Sequence, residues 1–433
     1  MIFEVDRREF LKAIKPAFEV SKPNVKKEFK YENLLTISAK ESNIELLSYN
    51  GSYSLIAEIN DSIFGSLNYN CKKEGKVTVY ANDLIAFVQS LPDTYFMIKV
   101  FKESNQLKIS ATVDKIDGKE KKSLSIRSMS IIENEVKVPS MGKVFDKEIE
   151  IDREIFVKGM NSVLFAPAFE EKMYSYMCVL FEYIKNKEIR FSAGSGGRFA
   201  IKEIKGENIV SKGEGTSIIF PKPCLSSLVK LLSESNSAFI TLKSSEADEK
   251  NNIPEQIIVD FDGMKLCIFG MEYLTKYPDL TKVIKHKYSN RIYSNLEEWN
   301  SVIRTIDGTK HRYNENIHNT EIVIEQDDEV IKVTPRTLNF SPTFIDMIDI
   351  DNCIIKGNDL WFRCNSDYIR EMVVQGGKKG KIQINFESQA DLNDSQEDNK
   401  KQRKPVLVKF EENLDSAKNT VDNFYMFFST STK

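Results

Sequence analysis

The chain has 433 residues, 41% of them hydrophobic and 29% charged, and its 61 basic against 64 acidic side chains leave a formal net charge of −3. That length exceeds one ordinary core and points to roughly two to four domains. The charge balance excludes a protein drawn to nucleic acid by bulk charge, though not one that confines its cations to one face. No apolar run approaches the roughly 18 residues of a membrane span. The first residues include Glu4, Asp6, Arg7, Arg8 and Glu9, so no secretory leader is expected and the location is expected to be cytoplasmic. Cys71, Cys178, Cys224, Cys267, Cys353 and Cys364 show no Cys-x-x-Cys spacing and read as reduced, mostly buried thiols. His286, His311 and His318 are the only histidines and have no metal-ligand spacing, so neither metal nor cofactor is expected.

Taken along the chain, the pattern repeats. "FEVDRREFLKAI", from Phe3, reads as a short strand, then Asp6 as a helix N-cap, then an amphipathic helix with Phe10, Leu11, Ile14 and Phe18 on its apolar stripe. Alternating residues follow at 33–59, and "GKVTVYANDLIAFVQSLPD" (75–93) gives a strand and a second helix. "IEIDREIFVKGM", from Ile149, starts the same order again, with Asp152 as cap and Ile155, Phe156, Met160 and Val163 as stripe. Hairpins at 176–204 and a strand and helix at 215–234 complete it. "RIYSNLEEWNSVI", from Arg291, starts a third, with Ser294 and the adjacent Asn295 at the cap and Trp299, Val302, Ile303 and Ile306 as stripe; strands at 320–337 and a second helix within 357–376 follow.

Asp6 to Asp152 spans 146 residues and Asp152 to Ser294 spans 142, while Tyr80 to Phe220 and Phe220 to Phe362 span 140 and 142. Two features recurring at one period make three copies of an α+β module, each with two strand–helix–strands units and its helices on one face of antiparallel sheet. The boundaries fall at 1–138, 139–287 and 288–433. The polar stretches 115–122, 245–252 and 388–404 read as hairpin-tip loops.

"GSGGRFAI" (194–201) has the glycines of a phosphate-cradling loop but not its setting. Strand-like alternation lies on both sides, with Ile189, Phe191 and Ala193 before and Phe199 and Ile201 after, so it reads as a hairpin turn. Catalysis finds no constellation. Asp327 and Asp328 look like a turn, and Ser195 is not on a strand-to-helix elbow.

The threefold module resembles the bacterial DNA polymerase III β subunit, the replication sliding clamp. The family's Thr-Asp-Gly-His-Arg-Leu-Ala stretch is matched by "GSGGRFA", its Phe-Pro-Asp-Tyr segment by "KYPDLTKVI" (276–284), and its Asn-x-x-Tyr helix start by Asn365 and Tyr368. The resemblance implies three tandem DNA-clamp domains, antiparallel sheets outside and two helices per domain inside. It also implies a head-to-tail homodimer ring around duplex DNA, a DNA polymerase and an ATP-dependent clamp loader as partners, and no nucleotidyl transfer by the chain itself.

By the same resemblance, a hydrophobic peptide-binding pocket between domains II and III would be formed by Tyr176, Gly196, Arg198, Phe199, Pro278, Lys282, Val283, Asn365, Tyr368, Tyr425, Met426, Phe427 and Phe428. Gly197 stands where the family has His, Phe199 where it has Leu, and "YMFFSTSTK" replaces the family ending; one reading of these departures is a divergent, phage- or plasmid-encoded clamp. Tyr425 to Phe428 also reads as a buried final strand.

Encirclement predicts cations opposite the apolar stripes. Arg8, Lys12 and Lys15 share such a face; Lys158, Lys222, Lys230, Arg304 and Arg370 are further candidates, with Lys22, Lys26 and Lys27 at the rim. An ordinary solvated helix face is the alternative. Ring closure is expected at the strand "KSLSIRSM" (122–129), with Leu124 and Ile126 on one face and Ile306 opposite; an ordinary exposed edge is the alternative. The rival functional class is a non-catalytic repeat protein that binds a protein or ligand without encircling DNA.

Overall fold

The computed structural model describes residues 1–22, 30–59, 69–91, 97–112, 125–133, 135–139, 145, 147–168, 177–184, 188–195, 197–206, 215–245, 256–269, 277, 279, 287–288, 290–310, 321–327, 330–336, 346–354, 361–386, 405–411 and 419–428. In the strands around 321–331, 346–354, 361–365 and 419–428 only the backbone is described. The three expected loop tips lie outside these residues apart from Ser245, as do the three histidines and Asp328. The chain divides into two compact units, Met1–Val157 with Val210–Gly213 and Phe220–Leu274, and Lys158–Ile209 with Glu214–Ile219 and Thr275–Lys433.

Six helices are described: α1 (Arg7–Ser21), α2 (Ala81–Ser90), α3 (Arg153–Val163), α4 (Lys222–Glu234), α5 (Leu296–Lys310) and α6 (Ser366–Gln375). Each follows directly on a strand, as the sequence pattern implies. Asp6 caps α1 by accepting from the amides of Arg8 at 2.8 Å and Glu9 at 3.0 Å, and Asp152 caps α3 by accepting from the Ile155 amide at 3.0 Å. The third cap differs from expectation. Trp299 is fully buried and its indole N–H needs an acceptor, so it takes the Ser294 hydroxyl at 2.7 Å, while Asn295 bonds the side chains of Glu298 and Lys381.

The buried row of α1 is Phe10, Ala13, Ile14, Ala17 and Val20, with the expected Leu11 and Phe18 only half-buried. The helix turns slightly further than its largest side chains suggest, because Ala13 and Ala17 let it approach strands Ile44–Tyr49 and Tyr53–Ile59 closely. In α3, Phe156, Met160 and Val163 are buried and Ile155 half-buried; in α5, Trp299, Val302, Ile303 and Ile306 are all buried. Each large buried aromatic contributes about 1.5–3 kcal/mol. Phe3 and Phe10 meet edge to face at 6.0 Å, and Phe156 and Phe220 at 5.8 Å.

The strand order shows the repeat more plainly than the sequence does. After the first helix of each copy come three strands in a meander: Leu34–Ala39, Ile44–Tyr49 and Tyr53–Ile59; Cys178–Tyr183, Glu188–Gly194 and Arg198–Gly206; Glu321–Asp327, Val330–Arg336 and Asp346–Ile354. The strand before the second helix, Gly75–Tyr80, Thr216–Pro221 or Trp361–Asn365, returns to the outer side of the first of these three. After the second helix, Met97–Glu103, Gln106–Thr112 and Ser125–Ser130 extend from Ile2–Asp6. Phe239–Ser245, Gln256–Phe261 and Met264–Phe269 extend in the same way from Lys147–Asp152, and Lys381–Phe386, Pro405–Glu411 and Asn419–Phe428 from Asn290–Asn295.

Two antiparallel joints then weld copies into larger sheets. Tyr53–Ile59 pairs with Met264–Phe269 to give an eight-stranded sheet in the first unit, and Arg198–Gly206 pairs with Asn419–Phe428 within a twelve-stranded sheet in the second. In both joints the third meander strand of one copy meets the last strand of the next, whereas in the third copy that strand, Asp346–Ile354, pairs with Asn290–Asn295 of its own copy. Ser125–Ser130, the last strand of the first copy, ends a five-stranded sheet and pairs on one side only among the described residues.

Candidate functional site

The hairpin of Glu188–Gly194 and Arg198–Gly206 is strand, turn and strand, with Gly194 opposite Phe199 and the Ser195 amide donating to the Arg198 carbonyl at 2.8 Å. Gly194 is needed for space. A Cβ there would lie 2.1 Å from Phe199 Cδ1, so the Phe199 ring lies across its cross-strand partner and is buried.

Arg198 points instead to α6. Its guanidinium pairs with the Glu371 carboxylate and lies 5.4 Å from the Tyr368 ring centroid and 5.8 Å from that of Phe165. Tyr368 and Glu371 reach it together because positions three apart on a helix share a face. The Arg198 side chain is 13% exposed and its Nε is buried without a hydrogen-bond partner. Burial pushes the Glu371 carboxyl above its ordinary value, and the neighbouring Arg198 only partly offsets this. Gly197 is also a matter of space: a Cβ there would lie 2.7 Å from the Tyr368 hydroxyl. A side chain at the position where the resembled family carries His would therefore have to displace this tyrosine.

The backbone register adds the final strand to this site. Arg198 lies opposite Phe427, Phe199 opposite Met426 and Ala200 opposite Tyr425, so the predicted pocket residues of the hairpin and of Tyr425–Phe428 are neighbours. Asn365 ends the strand that leads directly into α6. The Tyr277 hydroxyl donates to the carbonyls of Ser192 at 3.2 Å and Cys178 at 3.4 Å, anchoring the segment before Pro278 across the sheet. Tyr176, Gly196, Pro278, Lys282 and Val283 lie outside the described residues. Sequence reasoning missed Phe165 and Glu371. Helical spacing from Tyr368 pointed to Glu371; nothing in the sequence marks Phe165, two residues beyond α3.

Among the predicted cations, Arg8, Lys12 and Lys15 are the exposed basic residues of α1, opposite its buried row. Lys158, Lys230 and Arg304 are exposed, Lys22, Lys222 and Arg370 half-buried, and Lys26 and Lys27 lie outside the described residues. Several carry carboxylate partners: Lys12 pairs with Glu9 at 2.7 Å, Lys22 and Lys230 with Glu19 at 2.7 and 2.8 Å, and Arg370 with Asp367 at 3.2 Å. At the predicted edge, Ile126 is 60% exposed while Leu124 lies outside the described residues. Ile306 is 1% exposed, a core residue of α5 with no surface to offer a partner, which corrects its expected place opposite Ile126.

Among the described residues no three His, Cys, Asp or Glu side chains converge as a metal site, and no helix is long and apolar enough to cross a membrane. Among the described cysteines, Cys178, Cys224 and Cys267 are buried and Cys71 is half-buried, all as thiols.

No protein-family model matches the chain, and no curated protein matches it. Solved structures do. The DNA polymerase III subunit beta of Pseudomonas aeruginosa is 15% identical with a TM-score of 0.76, and the DNA polymerase III beta chain of Streptococcus pneumoniae is 16% identical with a TM-score of 0.77. The DNA polymerase sliding clamp of Bacillus subtilis is 13% identical with a TM-score of 0.75, and in all three comparisons 100% of both chains is covered. Over its whole length the chain therefore has the fold of the bacterial DNA polymerase III β sliding clamps.

Proposed function

We propose that the protein is a DNA sliding clamp, a non-catalytic processivity factor that encircles duplex DNA and tethers a replicative polymerase. The observation that carries this reading is the likeness in fold over all of both chains to proteins named as a DNA polymerase III β subunit and a DNA polymerase sliding clamp. Encirclement keeps a protein on DNA by topology, so each phosphate contact can stay weak and exchangeable. The exposed cationic face of α1, in a chain whose net charge is −3, suits such contacts.

In this reading the domains run 1–138, 139–287 and 288–433, and two protomers close head to tail into a ring. The strand-order rule supports the seam. Two copy-to-copy joints obey it within the chain, and Ser125–Ser130, the last strand of the first copy, which pairs on one side only among the described residues, would make the third joint with the third copy of another protomer. The polymerase and an ATP-dependent loader would dock by short hydrophobic peptides against Arg198, Phe199, Tyr368 and the strand Tyr425–Phe428, where apolar walls, a sheet and an arginine adjoin.

The test is loader-assisted retention on nicked circular DNA, before and after linearisation, together with the solution mass. A dimer held on circles and lost from linear DNA is the expected result. Equal release from both forms with an active matched loader would replace the proposal with a protein-binding repeat module that shares only the fold.

A further inference from the structure

Four of the cations expected to meet DNA, Lys12, Lys22, Lys230 and Arg370, pair with carboxylates in a consistent way. Glu9 is 18% exposed and its partner Lys12 57%; Asp367 is 21% exposed and Arg370 38%. Glu19, at 19%, holds two lysines at once, Lys22 at 44% and Lys230 at 50%. In every pair the acid is the more buried member and the cation reaches towards water, so the acid is fixed and the long cationic side chain is free to change partners.

Glu19 is the extreme case. A single oxygen, Oε2, accepts from Lys22 Nζ at 2.7 Å and from Lys230 Nζ at 2.8 Å. The two lysines come from different copies of the repeat, one just past the end of α1 and one on α4. Burial pushes the Glu19 carboxyl up, but the hydrogen bonds and charges of both lysines outweigh it and hold the carboxyl below its ordinary value, so it stays ionised at neutral pH. One carboxylate therefore occupies two cations of the expected DNA-facing set.

We propose that Glu19 is an internal competitor of the DNA phosphates: it engages Lys22 and Lys230 when DNA is absent from their reach and exchanges them with phosphate during sliding, so that it sets how weakly the chain grips the duplex. The proposal rests on the reading of the chain as a clamp. The partner is defined by chemistry alone, the sequence-independent phosphate backbone of duplex DNA. A lysine that must leave a carboxylate to reach a phosphate contributes little net affinity, which suits a protein that has to move.

Each cation that neutralises a phosphate steepens the fall of log K with log salt by about 0.9. Glu19→Gln frees two lysines and removes no cation, so the slope is expected to steepen by about 1.8, and the affinity gain over wild type to grow by about tenfold between 0.2 M and 0.05 M salt. The measurement is fluorescence anisotropy of a short labelled duplex titrated with wild type and Glu19→Gln over a salt series, with thermal melting to confirm that both are folded. Affinity for a linear duplex reports the charged face, whereas retention on circles reports threading, so the two readings fail separately.

A steeper slope that returns to the wild-type value in the triple variant Glu19→Gln, Lys22→Gln, Lys230→Gln supports the proposal. Equal slopes for wild type and Glu19→Gln overturn it, even where circles are retained. A steeper slope that persists in the triple variant also overturns it, because the effect is then one of net charge and not of these two lysines.

Discussion

Arg198 and Glu371 form an ion pair across 173 residues of chain, joining the end of a hairpin turn to α6. Neither end is free to relax. The arginine lies between Phe165 and Tyr368, and the carboxylate is pressed above its ordinary pKa by burial. Removing the cation leaves a desolvated acid behind. Arg198→Ala is expected to cost about 1.5–3 kcal/mol, read as a lower denaturant midpoint at unchanged slope. Arg198→Lys should recover less than half of the loss, since an ammonium neither stacks on the rings nor spans the same geometry.

The pH dependence of this pair has a definite sign. A carboxyl whose folded pKa is raised binds more protons in the folded than in the unfolded state, so its contribution to stability grows as pH falls from above the folded value towards the unfolded one. Wild type should therefore gain stability relative to Glu371→Gln on acidification through the range just above the ordinary carboxylate pKa. Unfolding free energies of both proteins across that range provide the check, and a difference independent of pH would contradict the assigned burial.

Gly197 and Tyr368 are coupled by space. With the Tyr368 hydroxyl 2.7 Å from where a Cβ would stand, Gly197→Ala forces the ring or the turn aside, at about 1–3 kcal/mol. Tyr368→Phe removes the obstructing oxygen. The double variant is expected to lose clearly less than the sum of the two single losses, and a strictly additive result would place the tyrosine elsewhere.

Much of this was legible in the sequence because it is local. Asp6 and Asp152 sit at fixed offsets from their helices, and "GSGGRFAI" carries strand alternation on both sides, so caps and hairpin follow from neighbours in the chain. Ser294 misled because the buried Trp299 indole, five residues on, needs an acceptor and takes its hydroxyl. Ile306 misled for a different reason: its place on an apolar stripe is satisfied by the protomer's own core. Phe165 was invisible, and Glu371 was marked only by its helical spacing from Tyr368, because the charge and the rings converge through contacts between distant segments.

Equally invisible were two arginines that tie the helix pairs together. Arg7, the first residue of α1, donates to the Val88 carbonyl at 3.1 Å and the Gln89 carbonyl at 3.4 Å in the last turn of α2. Arg153, the first residue of α3, donates to the Leu232 carbonyl of α4 at 3.0 Å and to the Ser237 carbonyl at 2.8 Å. Both place a cation on carbonyls at or just past a helix C-terminus. In the third copy Asn300 takes this part uncharged, donating to the Gly377 carbonyl at 2.9 Å. Arg7→Ala and Arg153→Ala should each cost about 1–2 kcal/mol, and Asn300→Ala less, as compared by chemical denaturation.

The edge strand gives the sharpest test of assembly. Ile126 keeps 60% of its surface exposed on Ser125–Ser130, which has a strand on one side only among the described residues. An apolar residue on an open edge invites a further strand, and the joints already present in the chain put one there in each equivalent position. Ile126→Asp should leave the melting temperature within about 2 °C of wild type, since an exposed position contributes little to the protomer's own core. The same change buries a carboxylate in the proposed seam, where it has no partner and disfavours closure. Sedimentation velocity is then expected to show a dimer for wild type and a monomer for Ile126→Asp, with Leu124→Asp behaving alike. A dimer that survives both changes would move the seam away from this strand, because no strand-paired interface there could tolerate a charge at its most exposed apolar position.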